Sequence, residues 1–158
     1  MATNAVARDA QRRTLAEIRD PVGLQAPLND GQIEGLRPWL ATLRGTADQG
    51  KWPAAKIGLD RWFAMATEYQ TGAESARAAN CAALEKRDEL AGLLRARSAQ
   101  VTDLARGGLY LSPDAEESAR QAKALLAERP CRLVEVEATV AHFDAAVGLL
   151  ARSARQRM

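Results

Sequence analysis

Histidine occurs only once, as His142, and aromatic residues make up only 4% of the 158 residues. A single histidine leaves no room for the paired ligands of a zinc site. Its neighbours Glu135, Glu137 and Asp144 form neither an H-E-x-x-H nor an E-x-x-H arrangement. Beside Phe143, His142 reads as the flank of a packed seam. The di-iron helical bundle, which needs repeated Glu-x-x-His pairs, is excluded on the same ground. There are only two cysteines, Cys81 and Cys131, too few for a disulfide scaffold. No run approaches the ~18 apolar residues of a membrane-spanning helix. The stretch from Asn4 to Asp20 is polar and charged, unlike the apolar core of a signal peptide. The cytoplasm is therefore the expected compartment. No Walker loop or G-x-G-x-x-G occurs, and Gly107-Gly108 lacks the following lysine and the strand context. These gaps predict no catalytic, metal-binding or cofactor-binding residues.

What is present is alanine, within an apolar fraction of 47%. Alanine favours helix because it loses no side-chain entropy, but it buries little area per contact. A thin core of closely packed helices follows, anchored at intervals by Leu, Trp and Phe. The net charge of +2 is too small to point to nucleic acid by itself. The local excess is the tail, Arg152, Arg155 and Arg157. Its plain reading is a solvated helix terminus complementing the macrodipole. Together with Arg12 and Arg13 it also admits binding to nucleic acid or an anionic surface, should the termini lie side by side.

Punctuation along the chain predicts an all-α fold of about five helices. The first runs from about Asn4 to Arg19 and stops at Asp20-Pro21. Pro21 to Leu28 reads as a linker, which gives residues 1–28 as an N-terminal helix and linker and residues 29–158 as a helical bundle. Asn29 or Asp30 caps the next helix, and Pro38 splits it into two short segments. Gly45 to Gly50 forms a turn. From Trp52-Pro53 some ~54 residues show little stop signal until Gly107-Gly108, a left-handed C-cap, and would span ~80 Å as one helix. A compact globule of this length is only ~40 Å across. Either the long helix breaks near Gly72 or Gly92, or the bundle is elongated. Ser112-Pro113-Asp114 is a strong helix start, with Ser as N-cap and Pro at the first helical position. That helix ends at Arg129-Pro130. The last carries Leu133, Val136, Val140, Phe143, Val147 and Leu150 in unbroken three-four spacing, folding back as a C-terminal antiparallel subdomain. The firmest core is expected from Leu90, Leu94, Val101, Leu104, Leu125, Leu126, Val136, Val140 and Phe143.

The long helix also carries a coiled-coil-like seam. Trp62, Ala66, Tyr69, Ala73, Ala76, Asn80, Ala83, Arg87, Leu90, Leu94, Arg97, Val101 and Leu104 alternate by four and three, the spacing that sets one face against a partner helix. Ala73, Ala76, Asn80 and Arg87 are thus candidate interaction residues. The polar members either fix register and partner number or, if the frame is shifted, face water. Trp39, Trp52 and Trp62 gather around the second turn, where they clamp neighbouring helices or border a ligand pocket. Cys131 precedes a helix beside Arg132, a setting that can lower a thiol pKa. The alternative is a small apolar side chain filling a corner.

Trp39-Leu40, Gly50-Lys51-Trp52 with Gly58-Leu59-Asp60-Arg61-Trp62, Arg87-Asp88-Glu89-Leu90-Ala91-Gly92-Leu93-Leu94, and Glu128-Arg129-Pro130-Cys131-Arg132-Leu133 occur in that order. In these motifs the chain, from about Ile33 to Val147, resembles a poorly characterised helical region of bacterial, mostly actinobacterial, proteins. Those proteins are encoded near Ser/Thr kinases, phosphatases and forkhead-associated proteins. The resemblance implies a helical accessory to a signalling assembly and transfers no catalytic residues. The expected function is a non-enzymatic adaptor or scaffold that binds a protein partner or itself. The alternative is a small regulator that binds nucleic acid or an anionic surface through its basic termini.

Overall fold

The computed structural model describes residues 2–156, and among them the fold is all-α. The helices are α1 (Ala2–Glu17), α2 (Asp30–Glu34), α3 (Leu36–Asp48), α4 (Trp52–Arg106), α5 (Pro113–Ala127) and α6 (Leu133–Gln156). Local chemistry sets their ends. The Asn29 side chain accepts from Gly31 N while Gln32 reaches back to the Asn29 N–H, a capping box that starts α2. Ser112 caps α5, with Pro113 at its first position. Gly50 and Gly108 have positive φ. Gly50 N bonds to Ala47 O and Lys51 N to Thr46 O, and the same pattern recurs at Gly108 and Leu109, so both helices end in a Schellman motif.

Some boundaries differ from expectation. The turn after α3 is confined to residues 49–51, and Gly45 remains helical. Neither Gly72 nor Gly92 breaks α4. A helical glycine costs only ~1 kcal/mol relative to alanine, which a long hydrogen-bonded helix absorbs. Pro38 lies in the first turn of α3, where its missing N–H breaks no helical bond. Helix α1 stops at Glu17, ahead of Asp20-Pro21, because its end is captured by other backbone. Cys131 N donates to Glu17 O at 2.7 Å and Arg19 N donates to Cys131 O at 2.8 Å.

The chain divides into two compact units, and α1 and α4 contribute to both. The first contains α1 up to Arg13 together with Gly23–Cys81. Its structure depends on two asparagines. Asn4 Nδ2 donates to Leu28 O and Asn4 Oδ1 accepts from Leu28 N, each at 2.9 Å. Asn80 does the same to Gln25, accepting from its N–H at 2.9 Å and donating to its carbonyl at 3.0 Å, with a further bond to Ala7 O. Each amide thus stands in for a strand neighbour of the segment after Gly23. What reads as a linker is held at both ends, with Arg8 adding a bond to Leu28 O and an ion pair to Asp30.

The second unit contains Thr14–Val22 and the chain from Ala82 onward. Its core joins Leu84, Leu90 and Leu94 of α4, Ala122 and Leu125 of α5, and Val136, Val140, Phe143 and Val147 of α6, with Ile18 and Cys131 completing it. Val101 and Leu126 pack partly buried against this cluster, whereas Leu104 stays outside it. Polar ties surround it: Arg97 pairs with Asp144, and Arg132 grips Glu128 through two bonds of 3.1 Å. That fork, acting against desolvation, holds the Glu128 carboxyl below its ordinary value.

Candidate functional site

The sequence-derived seam exists, but it is turned inward. Ala73 is 4% exposed, Ala76 2% and Asn80 0% within the single chain. These three candidates are therefore not available to a second chain. The three-four spacing was matched by covering from this chain's own segments: Asn80 bonds to Ala7 and Gln25, and Thr3, Asn4, Ile33 and Leu36 border a small cleft with Ala73. Arg87 is likewise occupied. It pairs with Glu17 and Asp88, and although burial works against its charge, those carboxylates raise its pKa. The partner that the heptad pattern called for is intramolecular.

Cys131 is 0% exposed, and burial pushes its thiol up, with Arg87 and Arg129 only partly opposing. A raised pKa keeps the sulfur protonated, which removes the nucleophilic form. Of the two readings the sequence allows, Cys131 is the small packed side chain, a core residue whose backbone anchors the end of α1. His142 flanks the buried Phe143. Its Nδ1 lies 2.8 Å from Ser118 Oγ, and that hydroxyl also donates to Asp114 O, so the ring tethers α6 to α5. Among the described residues, no group of three or more His, Cys, Asp or Glu side chains is placed to hold a metal ion.

The tryptophans divide sharply. Trp62 is half-buried and donates its indole N–H to Leu36 O at 2.8 Å, with Phe63 edge-on at 5.6 Å. It clamps the start of α3 to α4, as expected. Trp52 does not clamp anything: it is 66% exposed. Beside it runs a cavity of about 630 Å³ between α3 and α4, lined by Arg37, Leu40, Ala41, Leu43, Arg44, Ala47, Trp52, Ala55, Lys56 and Leu59. Trp39 and Trp62 do not line it.

No protein-family model, curated protein or solved structure matches this chain.

Function must therefore be argued from the α3–α4 groove. On α3, positions 37, 40, 41, 44 and 47 fall on one face, and on α4 positions 52, 55, 56 and 59 do the same. The Gly50 turn sets the two faces side by side. Leu43 of α3 lies over Gly58 of α4, where an added Cβ would collide with Leu43 Cδ2. The result is an open trough with Ala55 buried at its floor, exposed Leu40, Leu59 and Trp52 along its walls, and Arg37, Arg44 and Lys56 at its edges. No residue of α3 is buried, although it carries Leu36, Trp39, Leu40 and Leu43. The scattered apolar residues Val22, Val134 and Leu149 are also exposed, but single exposed side chains are ordinary.

Of the basic termini, Arg12 pairs with Asp9 at 3.5 Å in the first unit, Arg13 also lies there, and Arg152 and Arg155 lie in the second. Arg157 lies outside the described residues. No helix among the described residues is long and apolar enough to cross a membrane.

Proposed function

We propose that the chain is a non-enzymatic helical adaptor that docks a protein partner on the outer face of the α3–α4 hairpin. The observation that carries this reading is the contiguous apolar surface of Leu40, Trp52 and Leu59 on a hairpin whose α3 has no buried residue. Concentrated exposure of this kind marks an interaction surface, and tryptophan is among the residues that contribute most when an interface covers them. The resemblance to accessory regions of bacterial signalling proteins directs the search toward kinases, phosphatases and forkhead-associated partners in the cytoplasm.

A photo-crosslinking residue placed at the exposed, groove-lining Ala41, compared with one at the exposed Val134 in the other unit, tests this in the cells that make the protein. The expected result is a discrete protein adduct at position 41 and none of that mass at position 134. The same products from both positions would overturn the reading.

A further inference from the structure

We infer that the occupant of the α3–α4 groove is an amphipathic helix with acidic flanks, which completes a three-helix arrangement. This rests on the adaptor reading and specifies its partner's chemistry. The floor and walls of the groove are apolar, so the occupant must present an apolar stripe. The charged residues that line it are Arg37 and Arg44 from α3 and Lys56 from α4, and among the described residues no carboxylate lines it. Charge complementarity therefore requires an anionic occupant.

Shape decides between anionic occupants. A small-molecule site encloses most of its ligand, whereas Leu40, Trp52 and Leu59 stay open to solvent along the trough. The lining stretch of α3, from Arg37 to Ala47, rises ~15 Å, which matches about three turns of a docked helix. Arg44 comes from α3 and Lys56 from α4, so each helix of the pair brings a cation to the lining. A helix lying in the trough would meet them with a carboxylate on each flank. Its central stripe would pack on Leu40, Ala55 and Leu59, with Trp52 as the anchor. Helix pairs joined by a short turn leave such a groove between them, and a third helix set into it follows the ordinary geometry of bundles.

The test uses the full chain and two synthetic three-heptad peptides. Both have leucine at the a and d positions, one has glutamate and the other lysine at e and g, and like charges keep each from pairing with itself. The expected result, by fluorescence anisotropy, is binding of the glutamate peptide and at least ~10-fold weaker binding of its lysine twin. Trp52→Ala should weaken the glutamate peptide by at least ~10-fold with an unchanged circular dichroism spectrum. The double variant Arg44→Glu with Lys56→Glu should reverse the preference. Equal affinity for the two peptides, no binding of either, or binding indifferent to Trp52→Ala would each overturn the inference. So would sodium oleate shifting tryptophan emission where the glutamate peptide does not, which would assign the groove to an acyl chain. A dimer in light scattering that Trp52→Ala disperses would assign it to a second copy and overturn the inference too. A discrete adduct at position 41 in cells, together with failure of the glutamate peptide, would leave the adaptor reading standing and remove only the acidic helix.

Discussion

Before Cys81 the buried residues of α4 are Ala55, Ala73, Ala76 and Asn80; after it they are Leu84, Leu90 and Leu94. One helix thus serves two kinds of packing. In the first unit small side chains let neighbouring backbone come close but contribute little apolar area, so position is set by directed hydrogen bonds from Asn4 and Asn80. In the second unit leucines meet Phe143 and the valines of α6, and burial does the stabilising. Helix α3 belongs to the first unit and has no buried residue. The contrast teaches where a surface was kept open: the unit held by hydrogen bonds carries the apolar groove on a helix with no buried residue, and the unit held by burial gathers its leucines, valines and Phe143 into one core.

The largest test of this contrast is Phe143→Ala, which should cost about 3–5 kcal/mol in urea denaturation, the usual range for emptying a buried aromatic site. A loss under ~1 kcal/mol would show that the second unit's core does not carry stability as described. Asn80→Ala should come next, at about 1–3 kcal/mol, because it strips the partners from Gln25 and Ala7 in a buried setting. An effect near zero would remove the asparagine clamp from the first unit. Trp52→Ala should lie within ~0.5 kcal/mol of the parent, since the side chain is mostly exposed. A destabilisation comparable to Phe143→Ala would mean the groove is closed.

Cys131 gives a smaller, pH-dependent effect. Its thiol pKa is raised in the fold above the ordinary value of 9.0, so the folded chain holds its proton longer than the unfolded one. That contribution is complete below the unfolded pKa and is lost as pH rises through it toward the folded value. The urea midpoint should fall on going above pH ~9, and Cys131→Ala should flatten that alkaline decline. An unchanged slope in the variant would contradict the burial assigned to the thiol. At neutral pH the native chain should react with iodoacetamide at the half-buried Cys81 and spare Cys131.

Much of the fold was written in local chemistry. Asn29 with Gln32, Ser112 with Pro113, and the glycines at 50 and 108 announce helix ends because their capping bonds involve near neighbours. The α6 stripe was legible because Val136, Val140, Phe143 and Val147 all meet one core. The three-four seam of α4 was also visible, but its partner was not. Spacing shows that a helix face is covered without saying by what. Here the cover includes an extended segment that its prolines and glycine mark as a linker, and only tertiary hydrogen bonds reveal it as a packed strap. Ile18 and Cys131 join the core through a backbone pairing across the sequence that no periodicity encodes. The groove was half legible. Of the tryptophan cluster only Trp52 lines it, and composition could not tell the clamping Trp62 from the exposed Trp52, ten positions apart on the same helix.

Residue-resolved native-state hydrogen exchange compares the two regions most directly. Amides around Val136–Val147 of α6 and Leu84–Leu94 of α4 should exchange most slowly, through the largest opening. Those of α2, α3 and the first turns of α4 should exchange at least ~100-fold faster, through local opening of the hairpin. Uniform protection from α3 through α6 would contradict this, because it would mean that the α3–α4 hairpin is as tightly closed as the core of the second unit.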